Sequence, residues 1–267
     1  MPANEWVTAH TSQDKPNPAR VYDCLLGGYH NFEADRLSVQ ATVKFWPDVR
    51  LGAQANRAFM RRVVHFCLEH GIDQFLDIGS GLPTVGNVHE IAHQRNPAAH
   101  VVYVDIDPVA VAHSQTILRG DPCVSAIQAD LRQPEQILDH AEVKRLLDLS
   151  RPAAVLLVAV VHFIKDDDQA DRAMHALRDA LAPGSYVAIS HLTFDDCPPD
   201  KAEGLIKSVL RTSKARTRTQ ITQLLDGLEL VPPGVVYLPL WRPEDPDDVL
   251  LDQPERVLGW GGVGRKP

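Results

Sequence analysis

Apolar residues recur at two periods along this chain, and the switching between them predicts its architecture. Phe59, Val63, Val64, Phe66 and Cys67 fall at helical spacing and predict a helix over 56–70, closed by Gly71. The short run Phe75, Leu76, Ile78 predicts a first strand. A helix is expected over 88–95, ended by Asn96-Pro97, then a β-branched strand over 101–104, a helix over 109–118 and a strand over 124–128. A helical stretch at 134–149 leads to a continuous apolar run at 153–161, the pattern of a fully buried parallel strand. A helix over 171–181, stopped by Pro183-Gly184, precedes a fifth strand over 186–190. Strand and helix alternate throughout, which predicts an α/β fold: a mostly parallel sheet with helices on both faces and ligands at the carboxyl ends of the strands. Helices follow over 200–210 and 219–225. The segments 228–231 and 235–240, joined by Pro232-Pro233-Gly234, predict an antiparallel hairpin at the C-terminal end of the sheet. With no internal repeat and no break in composition, the whole of 1–267 reads as one domain, preceded by a polar, loosely ordered start at 1–18.

Composition narrows the function. A net charge of -8 disfavours a broad grip on nucleic acid and favours a small-molecule or peptide substrate. No stretch is apolar enough to span a membrane and no signal-type segment opens the chain, so the expected compartment is the cytoplasm. Cys24, Cys67, Cys123 and Cys197 are scattered without a C-x-x-C pair, the usage of reduced, buried thiols.

The first predicted strand ends in an acid and opens into a glycine turn, Asp77-Ile78-Gly79-Ser80-Gly81. Two glycines let the backbone approach a ligand closely, and the following helix start offers free N–H groups. The dinucleotide fingerprint would need a third glycine where Thr84 stands, which counts against a nicotinamide cofactor. Asp77, Asp105 and Asp130 fall at the carboxyl ends of three successive strands and are expected to converge on one cleft. Asp105 stands at the distance where a carboxylate accepts both hydroxyls of a ribose; Asp130 suits an adenine amino group, with Ile106 and Leu131 on either side of the ring.

The segments at 19–28 (Ala-Arg-Val-Tyr-Asp-Cys-Leu-Leu-Gly-Gly), 75–84, 102–108 (Val-Tyr-Val-Asp-Ile-Asp-Pro) and 181–186, with the late 227–236 and Trp241-Arg242-Pro243, resemble a bacterial S-adenosylmethionine-dependent methyltransferase family long catalogued as a domain of unknown function. The likeness covers nearly the whole chain and belongs to the class I methyltransferases, whose Rossmann-like sheet finishes in an antiparallel hairpin. It implies S-adenosylmethionine as cofactor and S-adenosylhomocysteine as product. It also implies that Gly79, Ser80 and Gly81 hold the methionine end, Asp105 the ribose, and Asp130 with Ile106 and Leu131 the adenine, with Asp77 and Thr84 among the cofactor-binding residues. Ala159 would line the sulfonium pocket, and the helical segment 19–50 would cover the cleft with Tyr22, Gly28 and Asn31 as contacts. The acceptor is not implied; a cofactor-binding sensor without catalysis would share all these features.

Other motifs compete. His89-Glu90-Ile91-Ala92-His93 matches the zincin pattern H-E-x-x-H, but no third-ligand spacing accompanies it and it follows a nucleotide-type turn. His162, beside Phe163 after the fourth strand, is the candidate general base; His191 ends the fifth strand. Asp166, Asp167 and Asp168 read as a helix-capping run, and Lys207, Arg211, Lys214, Arg216 and Arg218 as a basic surface.

Overall fold

A computed structural model describes residues 12–83, 86–208, 212–245 and 248–267. Most of the start expected to be loose, and Thr84 of the glycine turn, lie outside the described residues. Three helices come first, α1 (Pro18–Leu25), α2 (Glu33–Phe45) and α3 (Val49–Glu69). Then β1 (Gln74–Ile78), α4 (Val88–Arg95), β2 (His100–Asp105), α5 (Pro108–Ile117), β3 (Val124–Gln128), α6 (Pro134–Leu138), α7 (Ala141–Leu146), β4 (Ala154–Val158), α8 (Asp167–Ala180) and β5 (Tyr186–Leu192) alternate. The chain closes with α9 (Pro199–Ser208), α10 (Arg218–Gln223), β6 (Glu229–Leu230), β7 (Val236–Tyr237) and β8 (Gly259–Arg265).

The strands form one sheet in the order β3-β2-β1-β4-β5-β8-β6, with β7 also paired to β8. β1 to β5 are parallel, whereas β8 runs antiparallel to β5, β6 and β7. Every residue of β1 is buried, which requires cover on both faces; α3 packs on α4, and α6 on α8. The order reverses between β1 and β4, so the crevice outside the carboxyl ends of β1, β2 and β4 is where a ligand belongs.

Several elements differ from the sequence expectation. The antiparallel finish is present, but 228–231 and 235–240 do not pair with each other: both lie along β8, the glycine-rich stretch that carried no strand pattern. The helix expected over 134–149 is split into α6 and α7, with His140 Nδ1 accepting the Glu142 amide (3.1 Å) to start the second piece. β4 stops at Val158 rather than 161, because Ala159 takes φ +57° and a 3-10 turn, Val161–Phe163, follows.

The N-terminal segment is stitched down by charge. Asn17 caps α1 through its side chain, which accepts the Ala19 amide (2.9 Å), while its Nδ2 donates to Asp107 Oδ2 (2.8 Å) at the start of α5. Asp35, fully buried, accepts Arg20 Nε (2.8 Å) and the amides of Asn17 and Phe32 (2.9 Å each). Asp35→Ala should therefore strand a buried guanidinium and two amides, weakening the docking of this segment by roughly 3–5 kcal/mol. The expected readout is faster limited proteolysis within 12–32; wild-type resistance would count against this account.

Candidate functional site

The glycine turn is held against the neighbouring strand. The amides of Gly79 and Ser80 donate to the Val104 carbonyl (2.7 and 3.1 Å). Gly79 has φ +78°, and a Cβ there would stand 2.4 Å from Val160 Cγ2, so no larger residue fits. Gly81 has φ +66° and an open flank, where a Cβ would meet only Ala19 Cβ of α1 at 3.8 Å. Its amide donates to Asp105 Oδ2 (2.7 Å), while Asp105 Oδ1 accepts the Asp107 amide (2.8 Å). Burial raises the Asp105 pKa against the pull of these two N–H groups, and each oxygen keeps a second lone pair.

Asp77 lies beneath this turn. Burial pushes its carboxyl up to about 7, with Arg57 opposing the shift and Asp105 adding to it. Among the described residues no hydrogen bond reaches this carboxyl group. A small cavity behind the turn is lined by Arg57, Asp77, Ser80, Gly81, His89 and Tyr103. The third acid stands apart: Asp130 is gripped by Arg132, whose Nε reaches both its oxygens (2.9 Å each), and this pairing lowers its pKa. Ile106 is 54% exposed and Leu131 buried, on the loops after β2 and β3.

Ala159 occupies the left-handed region without being glycine, a strained conformation of the kind found where a backbone group is aimed at a ligand. A chain of hydrogen bonds holds it. Its amide donates to Ser190 Oγ (2.8 Å), Ser190 Oγ donates to Asn56 Oδ1 (2.6 Å), and Asn56 Nδ2 donates to Tyr22 Oη (2.8 Å). Tyr22 thus links α1 to α3, β5 and the end of β4. Gly28 and Asn31 shape the turn after α1: Asn31 Nδ2 donates to Asp23 Oδ2 and the Gly28 carbonyl (2.9 Å each), and a Cβ on Gly28 would collide with the Asp23 carboxylate.

At the ends of β4 and β5, His162 and His191 meet edge to face, with ring centres 5.7 Å apart. Burial, reinforced by Arg216, lowers His162 to about 4. His191 falls to about 3, chiefly by burial and then by His162. Phe163 is exposed next to them. Arg216 itself is buried, binding His191 Nε2 (2.9 Å), the Ile164 carbonyl (2.9 Å) and Asp167 Oδ1 (3.0 Å).

The remaining motifs are occupied within the fold. Glu90 Oε2 accepts the amides of Gly86 and Asn87 (2.9 and 2.8 Å), closing the start of α4; His89 Nδ1 is bonded to Tyr103 Oη (2.7 Å), and His93 Nε2 donates to the Ala99 carbonyl (2.9 Å). Asp166 Oδ1 accepts the Gln169 amide (2.9 Å) as the cap of α8, as its pattern predicted. The basic concentration does not form one solvated patch: Arg216 is buried, Lys214 pairs with Asp167 (2.7 Å) and Arg218 donates to the Val235 carbonyl (2.7 Å); Arg211 lies outside the described residues.

The glycine turn thus follows β1, Asp105 ends β2, Ala159 follows β4 and His162 lies in the turn beyond it, while the pattern of residues did not announce the side-chain bonds of Asn17, Asn56 and Ser190 or the burial of Arg216. Asn17-Pro18 carried a usable signal, a cap followed by proline at the first helical position. For Asn56 and Ser190 there was none.

The fold and the turn define a nucleotide-binding, Rossmann-like protein with the methyltransferase strand order. The model of the S-adenosyl methyltransferase family matches residues 4–267, and the chain belongs to that family. Its cofactor is S-adenosylmethionine, and S-adenosylhomocysteine is the product. The chain is similar to a candidate methyltransferase from Thermobifida fusca (45% identity, 98% of this chain and 99% of that one, TM-score 0.91). It is also similar to a DUF574 family protein from Streptomyces avermitilis (36% identity, 96% and 99% covered, TM-score 0.90). A curated relative, trans-aconitate 2-methyltransferase of Escherichia coli, is 33% identical over 93 residues, so the match spans only about a third of that protein (34% of each chain). Among the described residues no helix is long and apolar enough to cross a membrane.

Proposed function

We propose that this chain is a catalytic methyltransferase domain spanning 1–267, acting in the bacterial cytoplasm on a small-molecule or peptide acceptor. The observation that carries this reading is the bond from the Gly81 amide to Asp105, which joins the glycine turn and the β2 acid into one unit below an open cradle. The donor set fits the cofactor. Gly79, Ser80 and Gly81, with Thr84 and Asp77, would hold its methionine end, Asp105 its ribose hydroxyls, and Asp130, Ile106 and Leu131 its adenine. Tyr22, Gly28 and Asn31 would cover it from α1 and the following turn, and the strained backbone of Ala159 would face the sulfonium. Bound there, S-adenosylmethionine supplies an electrophilic methyl group that a nucleophile displaces in line.

The protein's part in the chemistry lies on the acceptor side. His162 is a neutral imidazole at physiological pH, free to accept a hydrogen bond from an acceptor X–H and so to orient its lone pair. An imidazole held at about 4 is a weak base. It is matched to acceptors that release a proton readily, such as phenols, enols, thiols or carboxylic acids, better than to aliphatic alcohols or amides. Phe163, exposed alongside, offers an apolar face for the body of such a molecule.

Cofactor binding is tested by titration calorimetry. Wild type should bind S-adenosylmethionine and S-adenosylhomocysteine, gaining about 2.7 kcal/mol of stability at a hundredfold excess over Kd. Asp105→Ala should weaken binding at least about tenfold while the protein stays folded. Unchanged affinity in that variant would remove Asp105 from the site. Formation of S-adenosylhomocysteine with a panel of acidic acceptors then tests catalysis.

A further inference from the structure

We infer that Arg216 is a positioning residue for the acceptor side of the cleft: it ties the carboxyl ends of β4 and β5 together, fixes the tautomer of His191 and, together with burial, keeps His162 and His191 neutral. The inference rests on the reading of His162 given above. Arg216 comes from the loop between α9 and α10, remote in sequence from both strands, yet is only 2% exposed. Its amide donates to the Leu192 carbonyl (3.1 Å) at the end of β5, and its Nη2 to the Ile164 carbonyl (2.9 Å) beyond β4.

The decisive contact is with His191. A guanidinium has five N–H donors, no acceptor, and does not deprotonate in proteins. Arg216 Nη1, 2.9 Å from His191 Nε2, must therefore be the donor, and Nε2 must carry a lone pair. The proton of His191 then sits on Nδ1, 2.8 Å from the Leu192 carbonyl that accepts it. Protonating His191 would set N–H against N–H and break the clamp.

His162 feels the same cation without such a bond. Its Nδ1 is buried with no hydrogen-bond partner, and its ring stands edge to face with His191. The charged group that acts on its ring is Arg216, which with Lys214 is paired to Asp167. The single carboxylate already serves both cations, through Lys214 Nζ (2.7 Å) and Arg216 Nε (3.0 Å). Lys214 also fixes the His162 backbone, its amide donating to the His162 carbonyl (2.8 Å). A proton on His162 would add a further positive charge beside the Arg216 guanidinium. The neutral ring keeps one nitrogen lone pair, and Phe163 beside it is exposed.

A purely structural pin would hold the backbone without controlling the imidazoles, and histidine NMR separates the two. Long-range nitrogen spectra of the wild-type protein, assigned with His162→Gln and His191→Gln, should show His191 as the Nδ1–H tautomer and both rings neutral from about pH 5.5 to 8. Finding His191 protonated at Nε2, or His162 titrating near the ordinary value of about 6.5, would overturn the inference, and this arm needs no Arg216 variant. In Arg216→Gln the His162 midpoint should climb, whereas Arg216→Lys, which keeps the charge, should hold it low. A folded Arg216→Gln with an unmoved His162 midpoint would also sink it. Full methyl transfer by His162→Gln would refute the catalytic role of His162 alone, leaving the NMR result to judge Arg216.

Discussion

Alanine at position 79 is expected to destabilise the protein by roughly 3 kcal/mol or more and to abolish its thermal response to S-adenosylmethionine. Two costs add. The backbone at φ +78° costs an L-residue about 1–2 kcal/mol that glycine does not incur. The new Cβ would lie 2.4 and 2.5 Å from Val160 Cγ2 and Cβ, and such overpacking costs about 1–3 kcal/mol. For a chain of this size that corresponds to a fall in Tm of roughly 6–12 °C. Combining Gly79→Ala with Val160→Ala should recover part of the steric loss and none of the conformational one, a split that a double-mutant cycle measures. Wild-type Tm and a wild-type cofactor shift in Gly79→Ala would show that the turn is neither tight nor in the site.

Asp77→Asn should have opposite effects on stability and binding. The folded-state pKa of Asp77 is raised to about 7 from 3.8, so between these values the native state binds more protons than the unfolded one. Stability therefore declines as pH rises through this window, and above pH 7 the buried charge costs up to roughly 4 kcal/mol. Asparagine removes that cost. Urea unfolding should find Asp77→Asn more stable than wild type at pH 8, with the gain shrinking towards pH 4. On the proposed site, the same variant should bind S-adenosylmethionine more weakly at pH 8, because the carboxylate would stabilise the cationic end of the ligand. A gain independent of pH would mean that Asp77 is not the titrating group.

The sequence was most readable where side chains made the pattern. Val88–Arg95 and Val124–Gln128 match their expected bounds, the first because Glu90 closes its start and Asn96-Pro97 its end, the second because β-branched and apolar residues mark a buried strand. α3 begins at Val49 rather than near Asn56 because its first turns bury Gly52, Ala53 and Ala55, too small to announce an apolar face. β8 was invisible for a related reason. A Cβ on Gly261 would come within 2.6 Å of Leu238 Cδ2 and 3.0 Å of the Phe59 ring, so this strand is specified by the absence of side chains. The glycine turn and the strand ends that carry Asp77 and Asp105 were legible because their signals are local. The Tyr22, Asn56, Ser190 and Ala159 relay joins residues up to 168 positions apart whose identities are unremarkable singly, and the burial of Arg216 depends on a loop whose path no periodicity encodes.

The place of β8 has a consequence for biosynthesis. β8 is made after every strand it pairs with, yet it lies between β5 on one side and β6 and β7 on the other. Until Gly259–Arg265 emerges, β5 presents an unpaired edge along Tyr186–Leu192, and β6 and β7 have no partner in the sheet. A long apolar edge of that kind is a template for joining other chains. A ribosome that stalls or stops short of residue 259 would thus release a polypeptide with an adhesive flank, a natural substrate for chaperones and proteases.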